Sequence, residues 1–113
     1  MIYWSIDVDD YSVDDLYVIN GWGFSEDGSP LIVKVQGIPE GTTNVQVVAQ
    51  KREDLIQAFP ERSYVADCGF QIQIQNASLL FEKVKKIQIV IGDKEKQIVD
   101  RTVEDMKQGC KKR

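Results

Sequence analysis

The side chains best suited to chemistry lie in an acidic segment near the N-terminus, which contains Asp7, Asp9, Asp10, Asp14 and Asp15. Asp7-Val8-Asp9 is a D-x-D triplet, a pattern with which a transferase can hold a divalent metal on the diphosphate of a nucleotide sugar. Such a metal needs open coordination positions and an adjoining pocket. The triplet ends a predicted strand, and no β-α-β unit precedes it to build that pocket. We therefore expect no catalytic residue, no metal site and no cofactor here.

The same acids could form an oxygen-rich calcium loop. An EF-hand loop starting at Asp7 would need Gly at its sixth position and Glu at its twelfth. Those positions hold Ser12 and Val18, so the EF-hand is excluded. An irregular calcium site and a solvated loop both stay open, and the solvated loop is what we expect.

The composition of the 113 residues excludes several other functions. The chain contains no His, which excludes Ser-His-Asp and Cys-His catalysis and any zinc site that uses imidazole. With 14 Lys and Arg against 18 Asp and Glu, the net charge of −4 argues against a domain that binds nucleic acid by neutralising phosphates. The two cysteines, Cys68 and Cys110, do not make a disulfide framework. The N-terminus lacks the regions of a signal peptide, which predicts a cytoplasmic protein.

Charge is unevenly distributed along the chain. Every charged residue among residues 1–30 is an acid, whereas residues 82–113 carry ten bases and six acids and end in Lys111-Lys112-Arg113. From the strand pattern and the charged C-terminal end, we predict one domain over residues 1–103. A charged linker over residues 104–113 would lead toward a following domain.

Aromatic side chains could bind sugar rings or bases by stacking. Trp4 and Trp22 occupy inward positions of predicted strands, and we expect both in the core. Tyr11 and Tyr64 fall in predicted loops. These two tyrosines are therefore the predicted glycan contacts.

Alternation of apolar and polar residues, the period of a β-strand, runs through most of the chain. In the first strand it places Ile2, Trp4, Ile6 and Val8 on one face. Further strands are predicted over residues 16–24, 31–37, 44–50, 70–75, 86–91 and 96–103. The strand over residues 16–24 is apolar on both faces, which predicts a central position. In the strand over 44–50 the inward positions are Val45, Val47 and Ala49.

One segment breaks this alternation. Leu55 and Phe59 stand at i,i+4 spacing, acids precede them and Pro60 follows, which predicts a short helix. Asn76-Ala77-Ser78 has the composition of a turn. Seven strands and one short helix predict an all-β fold, a two-sheet antiparallel immunoglobulin-like β-sandwich.

Several short motifs follow one another in a fixed order. They are Gly21-Trp22-Gly23-Phe24, Asp27-Gly28, Arg52-x-Asp54-Leu55, Phe59-Pro60 and Cys68-Gly69-Phe70. This order, over about residues 16–92, resembles the small all-β accessory domain found beside the catalytic domain of bacterial family 2 glycosyltransferases. Glycosyltransferases with such a domain resemble the enzymes that synthesise cell-surface polysaccharides.

The resemblance implies a non-catalytic interaction module that reaches the inner face of the cell membrane only through its parent enzyme. The implied partners are its own downstream catalytic domain, a second copy of the chain, or the growing glycan; nucleic acid is not among them. A carbohydrate-binding module that uses Tyr11 or Tyr64 is the alternative. A third interpretation, an enzyme, would need Asp7 and Asp9 to hold a metal.

The motif residues have structural roles in this interpretation. They are Gly21, Trp22, Phe24, Arg52, Asp54, Phe59, Pro60, Cys68, Gly69 and Phe70. We expect Trp22 and Phe24 on one face of their strand, with Gly21 leaving room for backbone or a ring on the other. Leu55 and Phe59 would fix the helix to the sandwich, and Arg52 would pair with a nearby carboxylate.

Overall fold

A computed structural model describes residues 2–11, 14–27, 31–41, 44–62, 67–92 and 96–106. Seven strands and two helices have both of their ends within these residues. In chain order they are β1 (Ile2–Tyr11), β2 (Tyr17–Ser25), β3 (Val33–Gln36), β4 (Val45–Gln50), α1 (Asp54–Ala58), β5 (Gly69–Ile74), α2 (Ala77–Lys83), β6 (Lys86–Gly92) and β7 (Lys96–Thr102).

The strands form two antiparallel sheets. The four-stranded sheet has the order β1-β2-β5-β4 and the three-stranded sheet has the order β3-β6-β7. This is the strand order of a constant-type immunoglobulin sandwich, ABED on one sheet and CFG on the other. The predicted all-β two-sheet antiparallel sandwich is therefore confirmed, and β2 is central as expected.

The main core fills the space between the inner faces of the two sheets. Ile72 and Ile74 come from the four-stranded sheet, and Ile87, Ile89 and Ile91 come from the other; all five are fully buried. Burying an isoleucine stabilises a fold by roughly 1.5–3 kcal/mol. The period-2 alternation of β5 and β6 thus supplies the two central layers of the core.

A bulge interrupts β1, because its register against β2 shifts between Ile6 and Val8. Before the bulge Ile2 is buried, and Trp4 and Ile6 pack against the core as predicted. The side chain of Val8, which was expected to continue this face, lies outside the described residues. After the bulge Asp9 pairs with the buried Ile19. Because directly paired residues share a face, Asp9 is directed between the sheets.

The strand β4 directs Val47 and Ala49 inward as predicted, because Val47 pairs with the buried Ile72 and Ala49 pairs with the buried Phe70. Val47 and Ala49 are nevertheless not buried in the core. Both are exposed, and only Val45 of this strand packs against the core. These two side chains are exposed because β4 is an edge strand of the wider sheet, and the opposing sheet has one strand fewer among the described residues. Alternation indicates which residues share a face, but it does not show whether another layer covers that face.

A second helix takes the place of the predicted turn at residues 76–78. Asn76 adopts a left-handed conformation with φ of 54°, and α2 begins directly after it. Ala77, Leu80 and Phe81 are its buried residues, at the i,i+3,i+4 spacing of one helical face. The short helix predicted before Pro60 is confirmed as α1.

The compact part of the chain extends past the predicted domain boundary at residue 103. Residues 103–106 are helical, and Val103 and Met106 are buried in the main core. The rest of the expected linker, residues 107–113, lies outside the described residues. In the part of the chain that the structure describes, no helix is long and apolar enough to cross a bilayer.

Candidate functional site

The motifs of the resemblance meet on the outer face of the four-stranded sheet. Trp22 of β2 pairs in register with Gly69 of β5, and Phe24 pairs with Tyr3 of β1. The helix α1 lies over this face and buries Leu55 against Phe24. Segments far apart in the sequence therefore build one surface.

Four aromatic rings and one guanidinium form the centre of this surface. We call these five residues the aromatic–arginine patch: Tyr3, Trp22, Phe24, Phe59 and Arg62. Phe24 is buried, and the other four are half-buried. The patch thus presents ring surface at the protein exterior above a buried anchor.

The rings of the patch contact one another at stacking and edge-to-face distances. The ring centroid of Phe24 lies 4.9 Å from Phe59, 5.2 Å from Tyr3 and 5.8 Å from Trp22. Trp22 meets Phe59 at 5.7 Å in an edge arrangement. Such pairs contribute about 0.5–1.5 kcal/mol each beyond the area they bury. The cluster therefore holds α1 on the sheet, as expected for Leu55 and Phe59.

Trp22 is not in the main core, where the sequence predicted it. It packs in this second cluster on the outer face, whereas Trp4 does pack against the main core. The other prediction for Trp22 is confirmed, because it shares the outer face with Phe24 while Gly21 pairs with the inward-facing Phe70. The two tryptophans therefore lie on opposite faces of the four-stranded sheet.

Arg62 was not predicted from the sequence. Its guanidinium carbon lies 5.5 Å from the ring centroid of Tyr3 and 5.6 Å from that of Phe24. Its Nη1 donates a hydrogen bond of 2.7 Å to the carbonyl oxygen of Glu26. Cation–π contacts at such sites contribute about 0.5–1 kcal/mol. The guanidinium thus adds a fixed positive charge to the patch.

An open depression of about 200 Å³ adjoins the patch, lined by Ala58, Phe59, Pro60, Glu61 and Arg62. Its lining combines an aromatic ring with a cation and a carboxylate. This combination suits the binding of a sugar ring or of a protein side chain. It does not contain a nucleophile paired with a base.

Arg52 connects the two edges of the four-stranded sheet beside the patch. Its Nε and Nη2 donate hydrogen bonds of 3.0 and 2.8 Å to the two carboxylate oxygens of Asp54, and its Nη1 donates one of 2.8 Å to Asp7. The expected pairing of Arg52 with a carboxylate is confirmed. The hydrogen bond from Arg52 is the main reason that the pKa of Asp54 is lowered, and Asp54 in turn raises the pKa of Arg52.

Gly69 leaves the space through which Arg52 passes. A Cβ at this position would collide with the side-chain stem of Arg52 and would lie 2.6 Å from the carbonyl oxygen of Gln50. Gly69 is buried and opens β5, one residue before the predicted start of this strand. The glycine is therefore needed for the arginine bridge and for the close pairing of β5 with β4.

The acidic segment does not converge on one site. Asp7 pairs with Arg52 on the outer face, and Asp9 pairs with Arg101 between the sheets. Asp15 accepts hydrogen bonds of 2.9 and 2.6 Å from the backbone N–H and the hydroxyl of Ser78 at the start of α2. Among the described residues, no group of three or more acids and cysteines is arranged to hold a metal ion.

The Asp9–Arg101 ion pair joins β1 of one sheet to β7 of the other. The side chains of Asp9 and Arg101 are 13% and 28% exposed, and the hydroxyl of Tyr17 donates a second hydrogen bond of 2.5 Å to Asp9. Burial is the main cause of the lowered pKa of Arg101. This polar group lies inside the sandwich and connects its two layers.

The predicted glycan contacts are not in the patch. Tyr11 is the last residue of β1, and its ring lies 6.0 Å from that of Tyr17 and 5.7 Å from that of Phe81. Its hydroxyl donates a hydrogen bond to Asp15. These contacts make Tyr11 a poor stacking platform. Tyr64 lies outside the described residues.

Cys68 borders the patch as a half-buried thiol. Burial is the main cause of its raised pKa, and the negative charge of Asp67 adds to the effect. At neutral pH the side chain is therefore a thiol rather than a thiolate nucleophile. Cys110, the other cysteine, lies outside the described residues.

Because Asp15 accepts hydrogen bonds through its carboxylate, part of the free energy of unfolding should depend on pH in the acid range. Hydrogen bonds from Ser78 and Tyr11 lower the pKa of Asp15, so the stabilisation is complete above the carboxyl pKa of the unfolded chain, about 3.9. It is lost as the pH falls through the lower folded value. Urea unfolding of the wild type between about pH 2 and 6 should therefore show a steeper loss of stability in acid than unfolding of Asp15→Asn. Asp14→Asn, at an exposed neighbour, is the control for the change in charge. Equal slopes for the wild type and Asp15→Asn would contradict this prediction.

The strands and the helix α1 thus bring most of the predicted motif residues to one surface, and Asp7 and Asp9 form separate ion pairs. Arg62 and the Asp9–Arg101 pair are additions that the motifs did not indicate. No family model, curated protein or solved structure matches this chain.

Proposed function

We propose that this chain is a non-catalytic interaction module, the accessory β-sandwich of a bacterial glycosyltransferase of cell-surface polysaccharide synthesis. Its working surface is the aromatic–arginine patch. One observation carries the proposal: most of the motif residues that carry the resemblance, which are dispersed over residues 21–70, lie at and around this patch. The implied location is the cytoplasm, at the inner face of the membrane through the parent enzyme.

The chemistry of the patch favours binding over catalysis. It offers ring surface and a guanidinium, and the thiol beside it has a raised pKa. Asp7 and Asp9, which an enzyme would need for a metal, each pair with an arginine instead. Isothermal titration with Mn²⁺ and a UDP-sugar tests the enzyme interpretation. Heat that disappears in Asp7→Asn would overturn the non-catalytic proposal.

The catalytic domain of the parent enzyme is the partner that the patch fits best. Half-buried aromatic rings around an arginine are the residue types enriched where protein surfaces bind one another. The guanidinium would meet a carboxylate or a carbonyl of that domain, and the rings would pack against apolar side chains. The patch would then orient the catalytic domain relative to this module.

The test is a titration of the purified chain with the separately produced catalytic domain of its parent enzyme. Arg62→Glu reverses the charge at the centre of the patch and should raise the dissociation constant roughly tenfold or more. Lys34→Glu, exposed on β3 of the other sheet, is the matched control and should bind as the wild type does. Equal affinities of the wild type and Arg62→Glu would contradict the assignment of the patch.

The alternative function, carbohydrate binding, is favoured by one observation, the 200 Å³ depression that has Phe59 in its wall. A titration with cell-surface oligosaccharides followed by NMR distinguishes the two proposals. Sugar binding at the patch should shift the indole signal of Trp22 while that of Trp4, packed on the opposite face, stays in place. A flat response of Trp22 across the titration would remove the alternative.

A further inference from the structure

Edge strands of a sheet present unpaired backbone groups, and natural proteins protect them against further pairing. The edges of the two described sheets are β1 and β4, and β3 and β7. Three of these four carry protection. β1 has a bulge, β3 is only four residues long and contains Lys34, and β7 contains charged residues, Arg101 among them.

The strand β4 carries none of these protective features. Its six residues are Val45-Gln46-Val47-Val48-Ala49-Gln50, with no charge, proline or glycine, and its pairing with β5 has no register shift. Gln46 and Ala49 are exposed, and the side chains of Val47 and Val48 are each 41% exposed. Among the described strands, none pairs with its outer side. The strand is therefore open to β-augmentation.

We propose that β4 pairs antiparallel with β4 of a second copy of this chain and forms a continuous eight-stranded sheet. The sequence of the strand supports this occupant, because it is self-complementary about Val48. Around a two-fold axis at Val48, Val48 lies opposite itself, Val47 lies opposite Ala49, and Gln46 lies opposite Gln50. Over residues 46–50 valine meets valine or alanine, and glutamine meets glutamine, so the strand can pair with itself reciprocally, as an isologous interface requires.

The charge distribution favours the same partner. The chain has a net charge of −4, so two copies repel one another on average. An uncharged strand is where they can approach with the least repulsion, since like charges directly opposite one another destabilise a sheet. A pairing of five residues, 46–50, from each copy is a small interface, which predicts weak, concentration-dependent association.

The two-fold axis would stand perpendicular to the sheet, because antiparallel pairing in one continuous sheet keeps the outer faces on the same side. Both aromatic–arginine patches of the dimer would therefore face the same way. The dimer itself rests on the β4 edge alone and does not depend on the function proposed for the patch.

Sedimentation equilibrium over a range of concentrations tests the proposal. The wild-type chain, of 12.9 kDa, should approach twice this mass. Val48→Lys places two like charges on the axis and should raise the dimer dissociation constant roughly tenfold or more. Ile98→Lys, at a more exposed apolar position on β7, is the matched control and should leave the dimer intact. A wild-type chain that stays monomeric at the highest concentration overturns the proposal and leaves the edge to a different occupant.

A pair of double variants tests the register even if Val48→Lys unfolds the chain. Gln46→Lys with Gln50→Glu places opposite charges face to face across the interface and should retain the dimer. Gln46→Lys with Gln50→Lys places like charges there and should abolish it. Equal association of the two double variants would overturn the pairing about Val48, and its loss in only the second would support it.

Discussion

Replacing Gly21 by valine should lower the free energy of unfolding by about 3 kcal/mol, near the upper end of the usual cost of overpacking. A Cβ at Gly21 would lie 2.6 Å from the carbonyl oxygen of Ser5 and 2.8 Å from the Cζ of Phe70. The first neighbour is backbone of a paired strand, and the second is the tip of a buried ring. Neither can move without disturbing the centre of the four-stranded sheet.

Urea unfolding followed by tryptophan fluorescence measures this loss. Gly23→Ala, two residues further along the same strand, is the matched control. Its Cβ would meet a side-chain methyl of Ile91 at 3.1 Å and the carbonyl oxygen of Tyr3 at 3.6 Å. We expect a cost well below that of Gly21→Val. A Gly21→Val chain as stable as Gly23→Ala would contradict the close approach of the Phe70 ring.

Replacing Arg101 by methionine should destabilise the fold by about 2 kcal/mol. Removing one partner of a fully buried pair costs roughly 3–5 kcal/mol, and the partial exposure of Arg101 reduces this loss. Methionine keeps most of the volume of the stem but leaves the carboxylate of Asp9 between the sheets without its cation. Its remaining hydrogen bond from Tyr17 compensates for only part of this loss.

A double-mutant cycle measures the interaction energy between Asp9 and Arg101 apart from the contacts that each makes with its surroundings. Asp9→Asn in the Arg101→Met background should recover part of the stability, because it removes the uncompensated charge. Lys86 and Asp100, 3.9 Å apart and each 56% exposed, are the comparison pair, and their cycle should give a coupling below about 0.5 kcal/mol. A similar small coupling for Asp9 and Arg101 would show that the interior pair does not hold the layers together.

Most of the fold follows from the alternation of apolar residues, and the exceptions have physical causes. The isoleucines of β5 and β6 alternate without interruption, and both strands were predicted almost to the residue. Val47 alternates as well, yet it is exposed because no described strand of the opposing sheet covers this edge. The helix α2 was missed because Asn76 and Ser78 have turn composition. The spacing of Ala77, Leu80 and Phe81 was the available signal.

The patch was predictable in its parts but not as a surface. The motifs indicated that Trp22 and Phe24 share a face, and that Leu55 and Phe59 fix the helix. No local pattern indicates that Arg62 reaches the ring of Tyr3, on a strand at the other end of the sequence. The pairing of Asp9 with Arg101 is likewise a contact between distant segments that no local pattern indicates. Contacts between distant segments depend on the strand order, which only the folded chain defines.

The bulge in β1 makes the effect of a deletion in this strand depend on its position. Its two halves follow different phases of the alternation, with even-numbered residues facing inward up to Ile6 and odd-numbered ones from Asp9 onward. The bulge is one additional residue, so deleting Asp7 would restore a single phase with both halves on their present faces, at the loss of the ion pair with Arg52. Deleting Ser5 would instead turn over the half that carries Tyr3, and the patch would lose this ring. A deletion at residue 7 should therefore be tolerated far better than one at residue 5.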